Sequence, residues 1–410
     1  MRSVQFSIII IIITIVLITF LFTGCWDRNE PENRAFVIAT GFDYDQNKDL
    51  YEITIQVANP MAAEEQGTNG AGGNSGGASI LVISAKGVTP YHASRNLFQN
   101  ISREPYFGHN RIVIITERLA RKGLGPIYDF FERERQSRVI SEPIILEDGR
   151  SITEFFRTET PLEEFAGEGI EKQIRLSAFQ RSIFPDRTLI EILVTSALVG
   201  REILIGRVIL GPQTEEDRIA EEKPAVRETI KFEGAAAFVG DKMKGWLDAR
   251  EVRGWFWVHE RIHRAIITFK CPVHDEHPIA LEVHEASSQM EPIITEENQP
   301  RVKIKILAEA RIQDQTCPAS YLMEGEKSAS LRQRLATVIE NDIKQSIEVS
   351  KHLGSDYLGF GNLFYRKMPD IWREELSGKW QETLKTLPVD LEVETIIRRT
   401  GLINKPFIRE

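Results

Sequence analysis

The chain has 410 residues, which at roughly 100–200 residues per domain suggests two to four domains. Hydrophobic residues make up 42%, charged residues 27% and aromatics 9%, values that set aside a disordered chain, a collagen and a polytopic membrane protein. A net charge of −9, from 60 acidic and 51 basic residues, does not suggest a nucleic-acid binder, and three cysteines exclude a disulfide scaffold or a four-cysteine zinc site.

After Arg2 no ionisable side chain occurs until Asp27, and residues 6–22 are almost wholly apolar, with isoleucine at every position from Ile8 to Ile13. A membrane span needs about 20 apolar residues, so this run is borderline, and the positive charge ahead of it directs the rest of the chain outward. The run closes in Leu21-Phe22-Thr23-Gly24-Cys25. Small residues directly before a cysteine resemble a lipobox, the site at which bacteria attach diacylglycerol to the thiol and cleave before it. Residues 1–24 are therefore expected to be a lipoprotein signal peptide and Cys25 to carry diacylglyceryl and N-acyl groups. The alternative is an uncleaved helix with an incidental cysteine; either leaves the globular part outside and tethered. Acyl chains contribute about 0.8 kcal/mol per buried CH₂, so two or three hold a protein durably on a bilayer.

Beyond Trp26, Tyr51-Glu52-Ile53-Thr54-Ile55-Gln56-Val57 alternates strictly, the mark of a strand with one buried face. Residues 67–77 hold six glycines but neither the Gly-Lys-Ser/Thr ending of a P-loop nor a G-x-G-x-x-G triplet, so they read as a flexible loop. A strand over 80–84, a helix over 91–101, a buried strand over 111–115, a helix from about Glu117 through Arg135 and a short strand over 144–146 follow. This alternation argues for an α/β or α+β layer. Arg133, Arg135 and Arg138 are interleaved with Glu132 and Glu134, and read as a self-paired solvated helix face rather than an anion site.

Helices are expected over 162–177 and 189–198, then a strand over 202–210. The acidic run 214–222 reads as a linker, and Gly240-Asp241 between two apolar runs as a hairpin turn. Farther on, Val302, Ile304, Ile306, Ala308, Ala310 and Ile312 occupy every second place, and residues 389–395 alternate likewise with an acidic outer face. These strands are expected to share one sheet, with lysines opposite carboxylates. Leu331, Leu335, Ile339, Ile343 and Ile347 fall at i, i+4 intervals and predict a long amphipathic helix packed on one face of that sheet. The chain thus reads as a mixed α/β, α+β protein. Its divisions are an N-terminal α/β domain (25–200), a middle domain (201–277) and a C-terminal α+β domain (278–410) with an antiparallel-type sheet.

One pentapeptide, His259-Glu260-Arg261-Ile262-His263, matches H-E-x-x-H, which on a helix turns two histidines toward a zinc ion with the glutamate as general base. Arg261 and Arg264 flank the second histidine, and the surrounding residues favour a strand, which would separate the ligands. No zinc site is assigned, although a surface zinc peptidase stays the alternative from another class. Cys271, His274 and His277 form a second candidate cluster that suits a loop equally well. On the exported side Cys271 and Cys317 are candidates for a disulfide, being the two cysteines left after lipidation. Neither a spaced acid–base pair nor a G-x-S-x-G elbow is present; the reading is a non-enzyme without a cofactor.

From Gly24-Cys25-Trp26-Asp27 onward the chain resembles the Ger(x)C family, the lipoprotein C subunits of bacterial spore germinant receptors. The likeness continues in Ala39-Thr40-Gly41-Phe42-Asp43, in Gly108-His109 ahead of Ile112, and in Gly234-Ala235-Ala236-Ala237-Phe238 with Gly245-Trp246-Leu247. It is strongest in Asp356-Tyr357-Leu358-Gly359-Phe360-Gly361, followed by Pro369, Trp372, Trp380 and Thr400-Gly401. Phe22 in the lipobox, the Gly-rich insertion and the HERIH segment depart from the family's pattern. The resemblance implies three mixed α/β domains in an elongated arrangement, with Cys25 as the anchor on the outer face of the cell membrane or spore inner membrane. It also implies assembly with two integral-membrane subunits, A-type and B-type, in a complex through which nutrients trigger ion release and germination. The blocks around Gly359 and Trp246 are expected to hold the fold rather than contact nutrient. A solute-binding lipoprotein that captures the nutrient itself is a further alternative.

Overall fold

The computed structural model describes residues 2–21, 33–58, 80–134, 139–158, 166–212, 228–259, 262, 264–272, 274, 276–316 and 325–398. Helix α1 (Arg2–Leu21) opens the chain, with Phe6 and the described isoleucines of its apolar run exposed. That run begins only at Phe6, and among the described residues no helix is long and apolar enough to cross a membrane. Phe22 to Cys25, the Gly-rich segment 67–77 and the acidic run 214–222 lie outside the described residues.

The first sheet contains nine strands. It is built from β1 (Arg34–Asp45), β2 (Leu50–Ala58) and β3 (Ile80–Gly87), then, after helix α2 (Pro90–Asn96), β4 (Glu104–Tyr106) and β5 (Ile112–Thr116). Helices α3 (Glu117–Lys122) and α4 (Gly125–Arg133) lead to β6 (Glu142–Leu146). Helices α5 (Ile152–Arg157), α6 (Ala166–Arg181) and α7 (Leu189–Ser196) lead to β7 (Leu204–Pro212), and β8 (Glu228–Val239) and β9 (Lys242–Leu247) complete it. The order is β3-β2-β1-β5-β6-β7-β8-β9, with β4 beside the start of β1. Strands β1, β5, β6 and β7 run parallel, flanked by antiparallel pairs on both sides. All five residues of β5 and of β6 are buried, as the unbroken apolar runs require once both faces of a parallel sheet are covered. One face packs Phe42, Val113 and Ile145 against Leu119, Ile127 and Phe130; the other packs Ile112, Ile114 and Ile144 against Ile152, Phe155, Ile170 and Ile174. Gly41 admits the second layer, because a Cβ there would meet Ile152 Cγ2 at 2.3 Å.

The second sheet follows helix α8 (Ala249–Val258). It holds β10 (Ala265–Lys270), β11 (Pro278–Ile294), β12 (Pro300–Gln315) and, after helices α9 (Gly325–Leu353), α10 (Phe360–Lys367) and α11 (Trp380–Thr386), β13 (Val389–Arg398). The expected pairing of residues 302–311 with 389–398 is present, with Lys303 3.0 Å from Glu392 and Arg301 2.8 Å from Asp390. The expected stripe of α9 is buried throughout, facing Val302, Ile304 and Ile306. One feature differs from the antiparallel-type sheet read from the sequence: β10, β11 and β12 are antiparallel, but β13 joins β12 in parallel. The reason is the helical crossover. A chain that leaves one end of a strand and returns across the face through helices re-enters at the opposite end, running the same way.

The described residues of 201–277 do not form a sheet of their own. Strands β7, β8 and β9 complete the first sheet, whereas α8 and β10 belong to the second layer. The Gly240-Asp241 hairpin is as expected, with Gly240 at φ +61°. The strand pattern there is local, and which sheet accepts a strand is settled by partners far along the chain.

A candidate functional site at the junction of the two sheets

A buried polar cluster lies where the two layers meet, in the block Asp356-Tyr357-Leu358-Gly359-Phe360-Gly361. Helix α9 ends at Leu353, and Gly354 (φ +63°) turns the chain, its N–H bonded to Lys351 O and that of Ser355 to Ser350 O. The Ser355 hydroxyl then donates to Phe238 O of β8, so the first residue past the turn is fixed to the other layer. Asp356 is 1% exposed. Its carboxylate accepts from Phe360 N (2.9 Å), Gly361 N (2.6 Å) and Trp380 Nε1 (3.0 Å), and its carbonyl accepts from Glu202 N and Gly359 N. Burial pushes the Asp356 carboxyl up to about 6, against the pull of those N–H donors. Tyr357, also buried, donates to Ser346 O at 2.6 Å, and burial raises its phenol.

Two glycines make the approach possible. Asn362 N donates to Gly200 O at 2.7 Å, and Asn362 Nδ2 to Val199 O at 2.9 Å. A Cβ on Gly361 would stand 2.7 Å from Trp380 Nε1 and 2.8 Å from Gly200 O; one on Gly200, itself at φ +68°, would stand 2.6 Å from Gly361 C. Glu202 completes the seam by accepting from Gly240 N at 2.8 Å; burial and the nearby Asp356 push its carboxyl up. The arrangement is a clasp. Its carboxylate is occupied by main-chain and indole donors, and the bonds tie the α7–β7 connection to the start of α10.

The other family-like blocks have comparable local roles. Asp43 accepts from Thr116 Oγ1 (2.7 Å) and Arg118 Nε (2.6 Å), and pairs a second time with Arg118 Nη2. The Asp43 carboxylate beside it raises the Arg118 guanidinium. His109 is exposed beside Phe36 and Tyr106, and Gly245 abuts Leu353 while Arg207 lies over the Trp246 ring. Trp372 and Trp380 are core anchors, their rings 5.4 Å apart.

Of the residues singled out from sequence, Cys25, Cys317, Glu260, Arg261, His263, Arg135 and Arg138 lie outside the described residues. Arg133 pairs with Asp129 one turn earlier at 2.6 Å. Helix α8 ends at Val258, and His259 is its C-cap, stacked on Trp255 with its Nδ1 3.1 Å from Trp255 O. The helix therefore stops as the HERIH segment begins. His274 and His277 lie edge to face at 6.3 Å, each 3.8 Å from Glu276 Oε1. Cys271 is fully buried and disulfide-bonded, which removes it as a thiolate ligand.

Two sheets, the helical crossover that carries the chain from β12 to β13 and a buried seam define a multi-domain α+β protein. Two family profiles match: "Spore germination protein N-terminal domain" over residues 27–208 and "Spore germination B3/GerAC like, C-terminal" over 233–401. The chain is 26% identical to spore germination protein KC of Bacillus subtilis (strain 168) over 410 residues, covering 96% of each protein. It is 35% identical to the putative spore germination protein YfkR of the same organism over 173 residues, 42% of this chain and 43% of that one. The crystal structure of the GerBC protein shares the fold, with a TM-score of 0.53 at 18% identity over 88% of this chain and 98% of that chain. The chain belongs to the Ger(x)C family of germinant-receptor C subunits. The two profiles divide near the acidic run, yet β8 and β9, which the C-terminal profile covers from residue 233, complete the sheet of the N-terminal one.

Proposed function

We propose that this protein is the membrane-anchored, non-catalytic C subunit of a nutrient germinant receptor, required for spore germination and held on the outer membrane face by lipid on Cys25. The observation that carries the reading is the match to a spore germination protein over 96% of the chain. The lipobox-like Leu21-Phe22-Thr23-Gly24-Cys25 supports the anchor, and the clasp supports a scaffold, because its buried carboxylate serves the fold. The partners are the A-type and B-type integral-membrane subunits and the bilayer. A tether raises the effective concentration of the globular part near them, so modest interfaces suffice. The Cys25→Ala protein is expected to leave the membrane fraction and to abolish the nutrient response. Full retention and normal germination would overturn the anchor.

The partner of Cys271 in this reading is Cys317. Cys271 N bonds to His277 O, and Thr316, one residue before Cys317 in the sequence, bonds through both its N and its hydroxyl to Pro278 O, so Cys271 and Thr316 flank the same strand end. Closing the intervening loop restricts the unfolded chain, and Cys317→Ser is expected to cost about 2–4 kcal/mol in urea unfolding. Non-reducing peptide mapping that found Cys317 free would refute the pairing.

A further inference from the structure

Helix α7 has an outer face that the described residues leave uncovered. Leu189, Ile192 and Thr195 are buried, whereas Ile190 and Val194 on the helix and Leu198 and Val199 just past its end are exposed, and Ile140 stands beside the helix start. Val194 is 55% and Ile140 60% exposed. From Ile192 to Gly200 no side chain carries a charge. The outer face of a surface helix is ordinarily polar, and a contiguous apolar patch marks a contact.

The topology says which way this face looks. Strands β1, β5, β6 and β7 are parallel, with Ala39 beside Ile112, Ile112 beside Glu142, and Ile144 beside Gly206, so all four begin at one end of the sheet. Helix α7 lies at that end: Leu189 N donates to Ser141 O and Ile190 N to Val139 O, ahead of β6, and its C-terminus leads through residues 197–203 into β7. The chain also enters the sheet there. Cys25 precedes the first residue of β1, Arg34, by nine residues, a reach of about 30 Å when extended. Strands β1 and β6 are separated by β5 alone, so Ala39 and Glu142 lie about 10 Å apart, and Arg34 begins β1 about 17 Å farther out at the same end.

We propose that this end of the nine-stranded sheet rests on the phospholipid bilayer, with Ile140, Ile190, Val194, Leu198 and Val199 seated in its interfacial layer. The inference rests on the lipid anchor proposed above: the tether holds this end near the surface, and an uncharged apolar ridge is what that layer accepts. The acyl chains supply retention. The helix face supplies orientation, fixing which sides of the protein remain open to membrane subunits.

The test uses the lipidated full-length protein in vesicles of phosphatidylglycerol and phosphatidylethanolamine doped with a phospholipid carrying a photoactivatable diazirine in its acyl chain. Flotation reports the anchor by itself, and mass spectrometry of cross-linked peptides reports the contact. Cross-links are expected in residues 188–201 and around Ile140 as well as at the N-terminus. They should fall about tenfold in Ile190→Glu/Val194→Glu while flotation persists. Protein that fails to float sinks the anchor. Protein that floats with cross-links confined to its N-terminal peptide overturns the present inference alone, as does a segment shielded only when the receptor's membrane subunits are added. Should the glutamates prevent folding, the wild-type map and Ile190→Ser/Val194→Ser decide.

Discussion

Replacing Arg253 with Ala is expected to cost about 3–5 kcal/mol, because it strands a buried carboxylate between two helices. Arg253 on α8 donates to Asp342 on α9 in a fork, Nε to Oδ2 at 2.7 Å and Nη2 to Oδ1 at 3.0 Å, and Trp257 Nε1 adds a third donor at 3.3 Å. The side chains are 16% and 4% exposed, so solvent does little to screen the charge left behind. Relaxation is blocked as well. The helices cross at Gly254, where a Cβ would meet Asp342 O at 2.3 Å, so they are already at backbone contact and cannot close further. Replacing both partners with apolar residues of similar size, Arg253→Met with Asp342→Leu, removes the two charges together. The double variant should recover most of the loss, since a buried pair is worth little beyond well-packed apolar side chains. Urea unfolding followed by tryptophan fluorescence reads all three proteins, and a loss below about 1 kcal/mol in Arg253→Ala would show that water reaches Asp342.

That pair also marks the boundary of what the sequence discloses. The strand alternation at 302–312 and the i, i+4 stripe of α9 depend on neighbours a few residues apart, and both were legible. Asp342 stands within the apolar arc of the same helix, adjacent to Ile343, and an acid in that position signals a buried partner; nothing near it names Arg253, 89 residues earlier. Likewise the block at 356–361 could be recognised as a unit, but the Gly200–Gly361 approach depends on a loop from the other layer. Long-range pairings determine which sheet owns β7, β8 and β9, and no local pattern near residue 201 discloses them. The H-E-x-x-H match illustrates the converse: five letters fit a zinc helix, but the helix stops at Val258.

Asp356→Ala is expected to be comparably damaging and, unlike the helix pair, to alter the response to pH. Its removal leaves Phe360 N, Gly361 N and Trp380 Nε1 without their acceptor in a buried site, at about 1–3 kcal/mol for each unsatisfied group. The carboxyl is raised from 3.8 to about 6 by burial, so the folded protein holds the proton more tightly than the unfolded chain. Its contribution to stability is therefore full below pH 3.8 and declines as pH rises to about 6, by about 3 kcal/mol in all. Glu142, pushed by burial to about 7 despite Arg175 at 3.3 Å, adds a decline in the same sense that extends higher. Comparing the variant with the parent isolates Asp356, because the Glu142 contribution is common to both. Between pH 4 and 7 the parent should lose stability more steeply than Asp356→Ala, so the gap between them narrows as pH rises. Parallel curves over that range would mean that Asp356 keeps the ordinary affinity of an aspartate for protons, and that the clasp is held by its hydrogen bonds without an appreciable cost of burying charge.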